Sequence, residues 1–157
     1  MPKVRSLKQS EWDFWHEFVR AQDDLCRELE RELQREFGIS KADFSLMTAL
    51  DGAPDRRLRI GRLAEALGWD KGRVAHQVSR MEARGLIEAI RVGPSARRAG
   101  VTLTSRGRTV LRDSQRGHGA NIRRLFFDAL APAQGEALHE WSTETIRRMH
   151  ELSDEVA

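Results

Sequence analysis

LRIGRLAEALGWDKGRVAHQVSRMEARGLIEA, Leu58–Ala89, is the stretch whose reading decides the fold. Ile60, Leu63, Ala64 and Leu67 recur at helical spacing, and so do Val74, Val78 and Met81, so two short amphipathic helices are predicted, about Ile60–Leu67 and Lys71–Arg84. Between them stands Gly68-Trp69-Asp70. Glycine there can adopt the left-handed C-terminal cap, and Asp70 can accept from free amides of the next helix, giving a tight helix-helix corner. With the valines and Met81 inward, the opposite stripe of the second helix is Arg73, His76, Gln77, Arg80 and Arg84. Glu82, the helix's one acid, lies off that stripe.

Downstream, Leu86–Val92 is rich in β-capable residues, Gly93–Gly100 reads as a turn, and Val101–Thr104 resumes extended structure, which predicts a hairpin with Arg97 and Arg98 at its tip. A helical region then runs from Thr104 or Ser105 to about Leu130, and Ala131-Pro132 separates it from a final helix carrying Leu138, Trp141, Ile146, Met149 and Leu152 at helical spacing. Upstream, Glu11–Phe37 contains no Pro or Gly and forms a long first helix ended by Gly38. Ser40 can cap the next helix with Asp43 three positions on, and Phe44, Met47 and Leu50 form its buried stripe up to Asp51-Gly52. Ala53-Pro54-Asp55 is a loop.

The chain therefore reads as mainly α with a small β-hairpin wing: residues 1–37 an N-terminal dimerisation helix, 38–104 a winged helix-turn-helix lobe, and 105–157 C-terminal dimerisation helices. The long terminal helices flank a centre of about fifty residues, enough for a small core only, so their apolar faces need a partner: they can pack on each other within one chain, but their length and their position at opposite ends of the sequence suit an intertwined two-fold dimer, which is the expectation.

Charge is distributed unevenly. Residues 53–110 carry 13 Lys/Arg against 5 Asp/Glu, whereas residues 1–52 carry 8 against 11 and residues 111–157 carry 6 against 8. A basic centre between acidic arms is expected of a module that binds a polyanion. No apolar run approaches the ~18 residues of a membrane span, and Met1–Ser10 has neither the apolar core nor the cleavage pattern of a signal peptide. Cys26, the one cysteine, cannot make an internal disulfide, which suits a reducing cytoplasm. A nucleophile elbow, a P-loop, a dinucleotide fingerprint and an H-E-x-x-H zinc motif are all missing, so an enzyme is not expected.

The stripe chemistry points to duplex DNA. Arginine can pair in a fork with guanine O6 and N7, and glutamine with adenine N6 and N7, on base edges that open into a major groove wide enough for one helix. Lys71 and Gly72 sit at the helix start, where free amides and the positive dipole end favour phosphate. Arg59 and Arg62 of the preceding helix can reach the backbone, and Arg97 and Arg98 at the wing tip can enter a narrow minor groove. The competing reading is a protein-protein adaptor on the same fold, which would not bind duplex.

In this order of elements the chain resembles the MarR family of bacterial transcriptional regulators over nearly its whole length. Leu58–Ala89 is similar to the family's helix-turn-helix and the lead-in to its wing, and RVGPSARRAGVTLTSRGR, residues 91–108, to the wing and the start of the following long helix. The resemblance implies a homodimer bound to a pseudo-palindromic operator, usually as a repressor, and often released by a small aromatic or phenolic ligand or by thiol oxidation. The family's wing usually has an Asp two residues before its arginine. Here the pair is Ser95 with Arg97 or Ala96 with Arg98, and neither register supplies the carboxylate.

The remaining candidates are weaker. Cys26 shares a helical stripe with Trp15, Val19, Leu29 and Leu33 and is expected to be buried and inert rather than a redox sensor. The five histidines show no i, i+4 pair, so neither a metal nor another cofactor is expected. Gly117-His118-Gly119 predicts a kink or break in a helix. That break is either a bend where helices of two subunits cross, or one wall of an effector pocket formed with Trp12, Trp15, His16, Phe44, Met47 and His118.

Overall fold

The computed structural model describes residues 6–90 and 100–154. Helix α1 (Gln9–Phe37) begins where the Glu11 carboxylate accepts the Lys8 amide at 2.7 Å, and it ends at Gly38, whose φ of 65° turns the chain through the left-handed region that glycine adopts without strain. Helix α2 (Lys41–Asp51) opens with a reciprocal capping box: the Asp43 amide donates to Ser40 Oγ at 3.1 Å and the Ser40 amide to Asp43 Oδ2 at 2.9 Å. The loop after it folds into a single 3-10 turn, Pro54–Arg56.

The two short helices form where the sequence pattern places them, α3 at Ile60–Leu67 and α4 at Lys71–Ala83. The corner is built as expected, with Gly68 at φ 64° and Asp70 Oδ1 accepting the Arg73 amide at 2.8 Å. Strands β2 (Ile87–Ile90) and β3 (Gly100–Leu103) pair antiparallel with Ala89 opposite Val101. A third strand, β1 (Arg57–Leu58), pairs antiparallel with β3 on its other side, giving the order β1-β3-β2. Two residues are too short to leave an alternation in the sequence, which is why β1 was not expected. The wing tip with Arg97 and Arg98 lies outside the described residues.

Helix α5 (Ser105–Leu125) is attached to this lobe through Thr104. Its hydroxyl donates to the Gly85 carbonyl at 2.7 Å and accepts the Gly107 amide at 2.9 Å. A Cβ on Gly107 would lie 2.0 Å from the Leu86 carbonyl oxygen, so only glycine lets the first turn of α5 approach this closely. The core beneath is formed by Leu46, Met47 and Leu50 of α2, Leu63 of α3, Val74, Val78 and Met81 of α4, Val101 and Leu103 of β3, and Leu111 of α5, all buried.

Two expectations are corrected. Helix α5 runs unbroken through Gly117-His118-Gly119, and Gly117 is small for a packing reason: a Cβ there would meet the Phe37 ring at 2.3 Å. The ring fills the space a side chain would take, so the helical ladder persists despite the unfavourable propensity of glycine. Cys26 is exposed, not buried, because full burial along α1 is reached only near its C-terminal end, at Glu32 and Leu33.

The residues through Gly119 and those from Ala120 form two compact units. The second contains a 3-10 turn at Phe127–Ala129 and helix α6 (Pro132–Asp154), on whose surface Arg147 and Arg148 donate to the Glu144 carboxylate and hold its pKa down to about 2. Among the described residues no helix is long and apolar enough to cross a membrane, and no group of His, Cys, Asp or Glu is placed to hold a metal ion.

Two of the three glycines of α5, Gly107 and Gly119, should respond oppositely to alanine. Gly107→Ala drives a methyl into backbone and should lower the urea midpoint by an amount equivalent to about 1 to 3 kcal/mol. Gly119→Ala, whose Cβ meets nothing within 4 Å, should raise it by the equivalent of about 0.5 to 1 kcal/mol.

Candidate nucleic-acid interface

Helix α4 presents one face to the core and the other to solvent. Val74 and Met81 are 0% exposed and Val78 5%, so the rotation of the helix leaves Arg73, His76 and Arg80 exposed on the far side. Asp70 caps its first turn, and Lys71 and Gly72, both exposed, stand at its start. Arg59 is the exposed N-cap residue of α3. Arg62 pairs with Glu65 at 2.7 Å, but the side chains are 73% and 65% exposed, and such a surface pair contributes little and exchanges readily for a phosphate.

Trp69 is a contributor that the sequence reading did not single out. Its half-buried ring lies under the Arg73 guanidinium, 4.0 Å from ring centroid to Cζ. A cation over an aromatic face is held by the ring quadrupole, so Arg73 is pre-oriented and not freely mobile. The sequence signal was an aromatic residue immediately before an N-cap and four positions before an arginine.

Gln77 and Arg84 stand differently from the rest of the stripe. Gln77 Nε2 donates to Asp43 Oδ1 at 2.6 Å, Arg84 Nη1 donates to Asp43 Oδ2 at 2.8 Å, and Arg84 Nη2 donates to the Gly38 carbonyl at 2.5 Å. Both bond one carboxylate of α2, Gln77 half-buried and Arg84 with its side chain still 39% exposed, so the basic stripe divides into an outward set and a pair tied to Asp43. Asp43 itself is 2% exposed. Burial pushes its pKa up, but the Arg84 guanidinium and the Ser40 cap outweigh this and hold it below the ordinary 3.8.

The proposed effector residues fall into separate groups. Phe44 and His118 are in ring contact, with centroids 5.1 Å apart, and His118 Nδ1 is buried with no hydrogen-bond partner among the described residues. Desolvation, with a smaller contribution from the Lys41 charge, lowers the His118 pKa below the ordinary 6.5. Met47 is 0% exposed, within the core. Trp12 and His16 contact each other at 5.6 Å, and Trp15 contacts Phe18 at 6.2 Å, along the exposed N-terminal half of α1.

Solved structures share this architecture along most of the chain. Sco3205, a MarR family transcriptional regulator from Streptomyces coelicolor solved in complex with DNA, is 31% identical, with 93% of this chain and 91% of that one covered and a TM-score of 0.77. This chain belongs to the MarR family of transcriptional regulators. AbsC, another MarR regulator from the same organism, is 29% identical with 94% and 99% covered and a TM-score of 0.78, and a MarR regulator from Silicibacter pomeroyi is 25% identical with 90% and 96% covered and a TM-score of 0.70. No protein-family model and no curated protein matches the chain.

In this MarR protein the state of Asp43 should be visible in stability. A folded-state pKa below the ordinary value means that the contribution is complete at neutral pH and fades as pH falls through the depressed value. Asp43→Asn should therefore lower the urea midpoint at pH 7 by the equivalent of about 1 to 3 kcal/mol. The gap between wild type and variant should close in acid, below about pH 4.

Proposed function

We propose that the protein is a homodimeric, sequence-specific DNA-binding regulator that represses transcription from a pseudo-palindromic operator. The observation that carries this reading is the outward face of α4, where Arg73, His76 and Arg80 stand exposed without an acidic neighbour on the stripe, opposite the buried Val74, Val78 and Met81. A helix with one apolar face anchored and one basic face free fits a major groove, with arginines able to reach guanine edges. Lys71, Gly72, Arg59 and Arg62 are assigned to the phosphate backbone, and Arg97 and Arg98 to the adjacent minor groove. Membership of a family that includes Sco3205, solved with DNA, supports the same assignment.

Exposed apolar side chains support the dimer. Phe14 (69%) on α1 and Ile146, Met149 and Leu152 (55–60%) on α6 are too large and too numerous for a solvated surface, and a second copy would bury them. In such a dimer the two α4 helices would lie about one DNA turn apart, ~34 Å, and the half-sites roughly 10 bp apart. An effector is also proposed: a small aromatic or phenolic molecule that lies against Phe44 and bonds the unpartnered His118 Nδ1.

The test is duplex binding as a function of salt, using fragments that the purified protein retains from its own genome. A DNA binder should lose affinity with a log-log slope of about −0.9 per phosphate contact, whereas an adaptor should not bind duplex at all. Arg73→Ala should cost about 1 to 3 kcal/mol and relax sequence preference, while Arg62→Ala should weaken every duplex similarly and shorten the slope by about 1. A chain that sediments as a single subunit and ignores promoter fragments in dilute buffer overturns the proposal.

A further inference from the structure

We infer that Asp43 is a positioning residue for DNA recognition, holding α4 in its reading orientation through Gln77 and Arg84, two side chains that are thereby withdrawn from the DNA. The inference rests on the DNA-binding reading above and goes beyond it, because Asp43 lies on α2 and belongs to neither the outward stripe nor the wing.

The geometry is that of a directional anchor. Asp43 Oδ1 accepts from Gln77 in the middle of α4, and Oδ2 accepts from Arg84, just past its end, so one carboxylate grips the helix at two points seven residues apart. The carboxylate is itself fixed, because Oδ2 also accepts the Ser40 amide and the residue caps α2. Arg84 bonds in addition to the Gly38 carbonyl, at the glycine that ends α1. The corner between α1 and α2 and the recognition helix are thus joined by one charged network.

Apolar packing sets which face of α4 points outward, but not its fine azimuth. Val74, Val78 and Met81 bury the inner face of α4, but their contacts are non-directional and tolerate rotation about the helix axis. A rotation of 20° at the ~6 Å outer radius of a helix moves a side chain by about 2 Å. That exceeds the half-ångström window within which a hydrogen bond to a base edge keeps its strength. Gln77 adjoins His76 and lies one turn from Arg73 and Arg80, so fixing its azimuth fixes theirs.

Two readings of Arg84 give opposite results. If it contacted phosphate, its loss would shorten the salt slope; if it positions α4, affinity falls at constant slope. Asp43→Asn separates the readings by sign as well. Removing an acid from a DNA-binding lobe strengthens purely electrostatic binding, whereas loss of the anchor weakens it.

The experiment measures affinity against salt for wild type, Asp43→Asn, Arg84→Gln, the double variant and Gln77→Met, on a duplex retained by the wild-type protein from its own genomic DNA. It is run at a temperature where circular dichroism shows every variant fully folded. Gln77→Met removes one donor without touching the charge pair and serves if the others fold poorly. Each single variant should bind about tenfold more weakly with the wild-type slope. The double variant should be no weaker than Asp43→Asn, because both changes break one linkage. Wild-type or tighter binding by Asp43→Asn, a slope shortened by about 0.9 in Arg84→Gln, or additive losses in the double variant overturn the inference and leave DNA binding standing. A wild-type protein that retains no duplex overturns both.

Discussion

The carboxylate of Asp43 is the constraint around which the DNA-binding lobe is arranged. It is almost fully buried, and burying an unpaired charge costs several kcal/mol, so its surroundings must satisfy it. They do so from three directions: the Ser40 amide from its own helix start, Gln77 from α4, and the Arg84 guanidinium from beyond α4. Together the three donors occupy most of the roughly four acceptor positions of the carboxylate. The result is that a residue placed locally in a capping box also determines how α4 is turned, through Gln77, 34 positions later.

This arrangement explains why the basic stripe of α4 is not uniform in its chemistry. Arg73, His76 and Arg80 face outward, where charge is hydrated and available to a partner. Gln77 and Arg84 lie on the flank nearer α2, where a buried acid lies within reach. Trp69 adds a second kind of order on the exposed side, since a guanidinium stacked on a ring loses less freedom when it engages a ligand. The outward face of α4 is thus braced from both flanks, by a charged network on one and an aromatic platform on the other.

Small residues mark the places where backbone meets its neighbours too closely for a side chain. Gly107 admits the Leu86 carbonyl at the start of α5, and Gly117 admits the Phe37 ring. From the sequence, the glycines at 117 and 119 read as a helix break because propensity is a local quantity. The continuous helix arises because tertiary contacts outweigh a cost of about 1 kcal/mol per glycine. The same limit applies to Cys26. Its stripe is apolar along most of α1, but full burial is reached only near the end of the helix.

Amphipathic period, caps and glycine corners were legible in the amino-acid order itself, because they depend on residues within one or two turns of each other. That was enough to determine the helix-turn-helix at 60–83, the strands that flank the wing and the two faces of α4. Which polar residues of the outer face remain free was decided only by the tertiary structure. Asp43 is separated from Gln77 by 34 positions and from Arg84 by 41, and no local pattern reports a hydrogen bond across that distance. Strand β1 and the Gly117 contact with Phe37 share this origin. Each depends on what a distant segment brings alongside, a property of the packed chain and not of any window within it.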